Sequence, residues 1–251
     1  MSDNKNNLID WNGKTVLITG ASSGIGRATS EKLLADGHQV IGLARDFDKF
    51  PCSDKNFITH SIDLADLDKL PARLKELTVH YPDLDALVLN AGRGQFGDLE
   101  QFSYEQIRAL TDLNFTSHTF VARAFVPQMK RARHGHLIFT GSEAALTGTQ
   151  KGSLYCAAKF ALRGFAQALR AETARSGLRV TLINPGMVQS PFFNELDFQP
   201  GDDADNYILP EDVAEVIMQA LMARDGTVID EINLSPQKKV RRSRRNKDGK
   251  Q

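Results

Sequence analysis

Short apolar runs rich in β-branched residues recur along this chain, and segments with helical periodicity separate them. Runs of this length predict strands buried on both faces, and joining such strands by helices produces a doubly wound, mostly parallel sheet. We therefore predict an α/β fold with seven strands and helices on both faces. The predicted strands are TVLITG, HQVIGLA, NFITHSID, LDALVLNAG, GHLIFTGS, LRVTLINPG and TVIDEINL. The predicted helices span residues 24–36, 66–80, 103–132 with a break near Asn114, 153–176 and 210–223.

The length of 251 residues suits one α/β domain whose core needs neither disulfide nor metal. The start of the chain is polar, and no apolar run is long enough to cross a bilayer, so we expect a cytoplasmic protein. Cys52 and Cys156 offer neither a disulfide framework nor a metal spacing. His134 and His136 have no third ligand nearby, so we predict no metal site.

The carboxyl-terminal segment 238–251 carries eight Lys or Arg and one Asp, although the whole chain has no net charge. This composition predicts a disordered basic tail outside a single folded domain of residues 1–237. Nucleic acid or an anionic membrane surface could attract the tail. A charged run stays solvated without any partner, so the sequence does not favour either contact.

A glycine-rich turn follows the first predicted strand and precedes the first predicted helix. Glycines let the backbone turn sharply and approach a pyrophosphate, whose charge then meets the amides at the start of the helix. The spacing differs from the common G-x-G-x-x-G pattern, and glycines can also form a simple turn. The position between strand and helix favours a dinucleotide loop. Its residues are Gly20, Ser22, Ser23, Gly24, Ile25 and Gly26.

Tyr155 and Lys159 stand four positions apart in a predicted helix, so they share one face. A nearby cation favours the phenolate, which predicts a pKa for Tyr155 below its usual value of about 10 and makes the phenol a candidate acid or base. The alternative is a half-buried tyrosine beside a solvated lysine. The motifs elsewhere in the chain decide between the two.

Five short motifs occur in order, and with them the chain resembles the short-chain dehydrogenase/reductase family of the ordinary single-domain type, from about Lys14 to Leu234. The resemblance implies a Rossmann-like domain of residues 1–237 that is both dinucleotide-binding and catalytic. It also implies hydride transfer between nicotinamide and a small ketone, aldehyde or secondary alcohol. The motifs are TGASSGIG at 19–26, Asp63-Leu64, Asn90-Ala91-Gly92, the tetrad Asn114, Ser142, Tyr155 and Lys159, and Pro185-Gly186.

The resemblance gives each residue of the tetrad a role. Tyr155 would exchange a proton with the carbonyl oxygen, and Ser142 would hold that oxygen by a hydrogen bond. Lys159 would lower the pKa of Tyr155 and bind the nicotinamide ribose, and Asn114 would hold a water that relays protons. The cofactor would be bound by these side chains and by the other motif residues: Gly20, Ser22, Ser23, Gly24, Ile25, Gly26, Asp63, Leu64, Asn90, Ala91, Gly92, Tyr155, Lys159, Pro185, Gly186, Val188 and Ser190.

The end of the second predicted strand indicates which cofactor is used. Ala44 and Arg45 stand where an acid would bind the ribose of NAD, and the acid comes only afterwards at Asp46. An arginine pairs with the 2′-phosphate of NADP, so the sequence favours NADP(H), with NAD(H) possible. Arg27 is a second candidate partner for that phosphate. A surface position is the alternative for both arginines.

Residues 189–209 form the longest irregular connection and include Phe192, Phe193, Phe198 and Tyr207. Because the segment follows a ligand-binding strand end, we predict a lid over the substrate, although aromatic residues docked on the core are the alternative. The resemblance also implies a homodimer or homotetramer.

Two other classes of function are open. A non-catalytic cofactor-sensing or nucleic-acid-associated protein would use the basic tail, and the intact tetrad argues against it. A sugar-nucleotide epimerase or dehydratase would use the same Tyr and Lys. That branch carries a larger carboxyl-terminal domain, so the resemblance disfavours it.

Overall fold

The computed structural model describes residues 11–48 and 50–244. Within this part of the chain, strands alternate with helices as the sequence predicts. The strands are β1 (Thr15–Thr19), β2 (Gln39–Ala44), β3 (Phe57–Ser61), β4 (Ala86–Leu89), β5 (His136–Thr140), β6 (Arg179–Pro185), β7 (Phe198–Pro200), β8 (Glu231–Leu234) and β9 (Arg241–Ser243). The helices are α1 (Gly24–Ala35), α2 (Leu70–His80), α3 (Tyr104–Thr111), α4 (Ser117–Ala132), α5 (Ser153–Thr173) and α6 (Pro210–Leu221).

The main sheet has seven strands in the order β3-β2-β1-β4-β5-β6-β8, and every pair is parallel. The predicted fold class is therefore confirmed. The strand order reverses between β1 and β4, which are neighbours in the sheet. Loops diverge at such a switch point and leave a crevice beyond the carboxyl ends of the strands.

Each face of the sheet carries its own apolar layer. Successive side chains of a strand point to opposite faces, so Leu17 packs in the cluster that contains Phe125 of α4. Its neighbour Ile18 packs in the other cluster, which contains Ile217 of α6. Helices on both faces therefore cover the sheet, and the strand ends stay free to carry functional groups.

The predicted break near Asn114 is a π-helical turn, Asp112–Thr116, that separates α3 from α4. Ser103 caps α3 by accepting a hydrogen bond from the backbone N–H of Gln106 at 3.2 Å. A π-turn inserts one residue into a helix and is frequent at functional sites. Here it brings Asn114 into the buried interior, with none of its surface exposed.

The carboxyl-terminal segment differs from the prediction of a disordered tail. Residues 241–243 form β9, which pairs antiparallel with β7 in the predicted lid. Acidic side chains pair with three of the basic ones: Lys238 pairs with Asp205 at 2.7 Å, Lys239 pairs with Glu143 at 2.6 Å, and Arg242 pairs with Asp202. Residues 238–244 therefore belong to the folded domain, whereas residues 245–251 of the predicted tail lie outside the described residues.

Across the described residues 11–48 and 50–244, no helix is long and apolar enough to cross a membrane.

Candidate active site

A cavity of about 410 Å³ opens beyond the carboxyl ends of β1, β4, β5 and β6. The glycine turn lies at one part of its wall, the tetrad forms another, and aromatic side chains of the 189–209 segment form a third. The predicted site residues that line it are Gly20, Ser23, Gly24, Ile25, Asn90, Ala91, Gly92, Asn114, Ser142, Tyr155, Lys159, Pro185, Gly186, Val188 and Ser190.

The glycine turn is shaped for close approach of a backbone or a ligand. Gly20 has a φ of +70°, which favours glycine, and a Cβ on Gly26 would overlap the carbonyl oxygen of Gly20. The side chain of Ser23, the N-cap of α1, forms no capping hydrogen bond, and the first turn of α1 contains no acidic residue. The positive end of α1 can therefore accept a pyrophosphate, so the residues present fit a dinucleotide.

Thr19, which the motif analysis did not single out, fixes the loop after β4 against the glycine turn. Its buried hydroxyl accepts hydrogen bonds from the backbone N–H groups of Asn90 and Ala91, at 2.9 and 3.0 Å. The side-chain amide of Asn90 donates to the carbonyl oxygen of Thr19 at 3.2 Å. The sequence signals for this role are the place of Thr19 at the start of the TGASSGIG motif and its hydroxyl at the end of a central strand.

The loop after β6 reaches back to the glycine turn. A Cβ on Gly24 would lie 3.3 Å from Cβ of Ser190, so this predicted cofactor residue borders the dinucleotide loop. Val188 is buried and forms a β-bridge with Ile208. This bridge anchors the start of the 189–209 segment beside the cavity.

Five predicted cofactor residues do not line the cavity. Gly26 is buried under the glycine turn, and Ser22 is half-buried in that turn. The other three lie toward the outer strands β2 and β3, where Leu64 is buried and Asp63 and Arg45 are exposed. An extended dinucleotide would reach from the switch point toward these strands, and contact of these three residues with its adenosine end stays a prediction.

The two arginines proposed for a 2′-phosphate differ in their surroundings. Arg27 pairs with Glu31 at 2.9 Å, and its guanidinium carbon lies 4.7 Å from the centroid of the Phe50 ring. Arg45 follows β2 directly, and its side chain has no hydrogen bond or ion pair with another described residue. Arg45 is therefore the better placed of the two to bind an added phosphate.

Tyr155 and Lys159 lie in α5 on one buried face, with exposures of 6% and 4%. The ammonium of Lys159 lies 5.8 Å from the centroid of the Tyr155 ring. A Cβ on Gly92 would stand 2.6 Å from Oδ1 of Asn114 and 3.8 Å from Nζ of Lys159. These members of the tetrad, which are far apart in the chain, therefore converge with the Asn90-Ala91-Gly92 motif at one corner of the cavity.

The predicted fall in the pKa of Tyr155 is wrong for this structure. Burial disfavours the phenolate and raises the pKa of Tyr155 to about 12, and a hydrogen bond from Ser142 opposes this shift only in part. Burial also lowers the pKa of Lys159 to about 8. The rings of Phe96 and Phe192, with centroids 5.2 and 5.8 Å from that of Tyr155, exclude the water that would solvate a phenolate.

Ser142 is held by a polar network around the buried Asn184, which the sequence motifs did not reveal. Asn184 of β6 accepts a hydrogen bond from the backbone N–H of Ser142 at 3.3 Å. The amide of Asn184 donates to Glu231 at 2.7 Å and to Asn233 at 2.9 Å, and Glu231 pairs with Arg163 of α5 at 3.0 Å. The loop after β5 is thus linked to the edge strand β8 and to the helix that carries Tyr155.

Asn114 joins the π-turn to the loop after β4. Its amide nitrogen donates to the carbonyl oxygens of Arg93 and Leu110, at 3.1 and 3.0 Å. Its amide oxygen accepts from the backbone N–H of Arg93 at 3.1 Å. Both amide protons are therefore used by the protein, and the remaining lone pair of the oxygen is the part of the side chain available to a water.

His118, one turn after Asn114, is a further buried group beside this corner. Its Nε2 lies 2.7 Å from the carbonyl oxygen of Ala91, to which it donates, since a carbonyl can only accept. Burial and the charge of Lys159 lower the pKa of His118 to about 3, so the ring is neutral. His118 fixes the position of Ala91 within the loop.

Aromatic residues form the outer wall of the cavity. Phe96 contacts Phe198, with ring centroids 5.0 Å apart, and Phe192 and Phe193 pack beside them. Three of the four aromatic residues predicted for the lid thus face the cavity. The fourth, Tyr207, lines a neighbouring cavity instead.

The two histidines considered as metal ligands have separate partners. Nε2 of His134 lies 3.2 Å from Asp85, and Nε2 of His136 lies 2.8 Å from the hydroxyl of Thr181. Across the described residues, no group of three or more His, Cys, Asp or Glu is arranged to hold a metal ion.

The doubly wound sheet, the glycine turn at its switch point and the tyrosine–lysine face of α5 define a dinucleotide-binding α/β oxidoreductase. Residues 14–200 match the family described as short chain dehydrogenase, and the chain therefore belongs to the short-chain dehydrogenase/reductase family, whose enzymes act on CH–OH and C=O groups.

Relatives from distant organisms support this assignment. The chain is 31% identical over 239 residues to sepiapterin reductase of Chlorobaculum tepidum, with 88% of this chain and 95% of that protein covered. It is 30% identical over 240 residues to an NADP-dependent 3-hydroxy acid dehydrogenase of Schizosaccharomyces pombe, with 89% and 93% covered. The structure of an alcohol dehydrogenase from Thermococcus sibiricus, complexed with 5-hydroxy-NADP, matches with a TM-score of 0.78 at 26% identity, covering 89% of this chain and 96% of the other.

Proposed function

We propose that the protein is an NADPH-dependent carbonyl reductase that acts on a small ketone or aldehyde and also oxidises the corresponding secondary alcohol. One observation carries the proposal. The hydroxyls of Tyr155 and Ser142 and the ammonium of Lys159 meet at one corner of a cavity that continues to the glycine turn. A carbonyl placed at this corner has both hydroxyl donors in reach.

The protonation state of Tyr155 suits reduction. With a pKa raised to about 12, the phenol keeps its proton at neutral pH and can donate it to a carbonyl oxygen. Ser142 holds the same oxygen and stabilises the negative charge that develops on it. Lys159 and the loop after β6 would hold a nicotinamide against this corner, and the hydride would come from that cofactor when it is bound. The buried ammonium of Lys159 stabilises the phenolate that remains after the proton has left.

Proton return to Tyr155 needs a path to solvent. We assign Lys159 and Asn114 to it, because the two side chains converge beside Gly92. The free lone pair of the Asn114 oxygen would hold a water next to the ammonium. Lys159, whose pKa is lowered to about 8, can give up and regain a proton near neutral pH more readily than an exposed lysine can.

NADP(H) is the proposed cofactor. Arg45 stands unpaired among the described residues, just beyond β2. Of the similar proteins, one is an NADP-dependent dehydrogenase and another is complexed with 5-hydroxy-NADP. The cofactor contacts proposed for this chain are the predicted set, with Ser22, Gly26, Arg45, Asp63 and Leu64 outside the cavity and the others lining it.

We also propose that the protein assembles as a homodimer or homotetramer through α4 and α5, where Phe160 is 43% exposed. The alternative of a nucleic-acid-associated protein loses support because Lys238, Lys239 and Arg242 are paired with acids of the fold.

The test is to assay a panel of ketones and aldehydes with NADPH and with NADH side by side. Turnover is measured as the loss of absorbance of the reduced nicotinamide. We expect turnover of at least one carbonyl compound and a higher kcat/KM with NADPH. Absence of turnover across a panel of aliphatic, aromatic and acidic carbonyl compounds would contradict the proposed reaction.

A further inference from the structure

The basic side chains of residues 238–244 differ in the number of ion pairs and hydrogen bonds that they form with the rest of the fold. Lys238, Lys239 and Arg242 pair with acids, and Arg244 donates to Gln199 at 2.7 Å. Arg241 is the exception.

The guanidinium of Arg241 forms no hydrogen bond with another described residue. Its ion partner Asp197 stands 3.9 Å away, beyond hydrogen-bond distance, and the Asp197 side chain is 72% exposed. An exposed pair at this distance binds weakly. Within the described part of the chain, Arg241 is therefore a cation whose donors form no hydrogen bond and can bind a ligand.

Arg241 lines the cavity, and its guanidinium carbon lies 3.5 Å from the centroid of the Phe198 ring. Stacking on an aromatic ring fixes the guanidinium plane and leaves the N–H groups at its edge free. Such an edge matches the two oxygens of a carboxylate. The geometry of Arg241 is therefore that of a carboxylate-binding group.

Phe96 connects this group to the proposed chemistry. Its ring contacts that of Phe198 on one side and that of Tyr155 on the other, at 5.0 and 5.2 Å between centroids. A ligand that lies along Phe96 can therefore reach both Arg241 and the phenol of Tyr155. The acid that lines the cavity, Glu143, is paired with Lys239 at 2.6 Å, so its charge does not oppose an anionic ligand.

We propose that the substrate is an oxo acid, or in the reverse direction the corresponding hydroxy acid, and that Arg241 binds its carboxylate while its carbonyl faces Tyr155. An apolar spacer between the two groups packs against Phe96. This inference rests on the proposed carbonyl reduction, and it adds the charge of the substrate and the residue of β9 that recognises it.

Paired substrates test the proposal: a panel of aryl-substituted oxo acids and their methyl esters, assayed with NADPH and the full-length protein. We expect the wild type to prefer the acid. Arg241→Met keeps a long side chain that can pack on the Phe198 ring but removes the charge. It should lower the acid-to-ester ratio of kcat/KM by about 10- to 100-fold. Arg241→Lys keeps the charge but lacks the planar pair of N–H donors, so its acid-to-ester ratio should lie between those of the wild type and Arg241→Met. Arg242→Met, one position along β9, should leave the ratio within about twofold.

A wild type that does not prefer the acid, or an Arg242→Met variant that matches Arg241→Met, would overturn the proposal. A binding measurement distinguishes failure of the proposed carboxylate site from failure of the proposed carbonyl reduction. Calorimetric titration of the NADP⁺-saturated protein with 3-phenylpropanoate and 3-phenylpropanamide needs no turnover. Tighter binding of the carboxylate, lost in Arg241→Met, supports the anion site even if no carbonyl is reduced, and equal binding of the two compounds rejects it.

Discussion

The ammonium of Lys159 donates a hydrogen bond to the carbonyl oxygen of Thr140 at 2.9 Å. This contact joins the middle of α5 to the end of β5, two residues before Ser142. It also provides the buried ammonium with an acceptor, since the exposure of Lys159 is only 4%. Lys159 therefore links Tyr155, on the same helix, to the strand end that carries Ser142. The side chain of Lys159 is mainly charged only below its lowered pKa of about 8.

The pH dependence of carbonyl reduction should follow Lys159. Tyr155 keeps its proton across the assay range, whereas Lys159 loses its charge as the pH rises through about 8. We expect kcat/KM to be level from about pH 6 to 7 and to fall above about pH 8. Lys159→Arg, whose charge persists, should move that fall to higher pH if the variant retains activity. A profile that rises through pH 8 in the wild type would contradict this role.

Removing the buried charge should stabilise the fold while it impairs the chemistry. At pH 7 the lysine is protonated in both folded and unfolded states, so the folded state bears the full cost of burying the charge. Between about pH 8 and 10.5 the folded lysine loses its proton first, and this cost fades. Lys159→Met should therefore raise the free energy of unfolding by on the order of 2 kcal/mol at pH 7, after allowance for the lost hydrogen bond to Thr140. Urea denaturation should show the gain shrinking by pH 10, and a gain that grows with pH would be inconsistent with the lowered pKa.

The glycine turn can be tested with two alanine substitutions. In Gly26→Ala the new methyl group would overlap the carbonyl oxygen of Gly20 and press on the side chain of Asn90. We expect at least about 2 kcal/mol of destabilisation and a loss of NADPH binding. Gly148→Ala is the control, because Gly148 lies in the loop between β5 and α5 with open space around it and without a positive φ, so the free energy of unfolding should change by less than about 0.5 kcal/mol. Thermal unfolding with and without NADPH measures both, and equal effects of the two variants would exclude a special role for the turn.

The cofactor preference should depend on Arg45. Arg45→Asp replaces a free cation with a carboxylate that accepts from ribose hydroxyls and repels a phosphate. We expect the ratio of kcat/KM for NADPH to that for NADH to fall by at least about 10-fold. Arg27→Gln should change this ratio less, since Arg27 is engaged with Glu31 and Phe50. A larger fall of this ratio in Arg27→Gln than in Arg45→Asp would mean that Arg27 binds the 2′-phosphate.

Local patterns predicted most of the fold. The central strands β1, β2, β4, β5 and β6 are largely apolar runs, so their burial on both faces could be inferred without knowing their partners, whereas the edge strands β3 and β8 are only partly buried. The helix break at Asn114 could also be placed. These features depend on short stretches of chain, and the sheet then brings the ends of β1, β4, β5 and β6 together at one crevice.

The pairing of β7 with β9 could not be predicted in the same way. Considered alone, Arg241–Ser243 is a polar, basic stretch without strand character, and its partner lies about forty residues earlier in the chain. The acids Asp202 and Asp205 complement the basic segment, but only the fold brings them beside it. The predicted direction of the Tyr155 pKa shift was wrong for a related reason, because the burial of the phenol depends on Phe96 and Phe192 from distant loops.

The central claim is that Tyr155 donates the proton during reduction, and Tyr155→Phe tests it most directly. The substitution removes one oxygen and keeps the ring contacts with Phe96 and Phe192. With a carbonyl substrate from the panel and NADPH, we predict that kcat falls by about 10²- to 10⁴-fold, while the dissociation constant for NADPH stays largely unchanged. A Tyr155→Phe protein that reduces the same carbonyl at a rate close to that of the wild type would contradict the account.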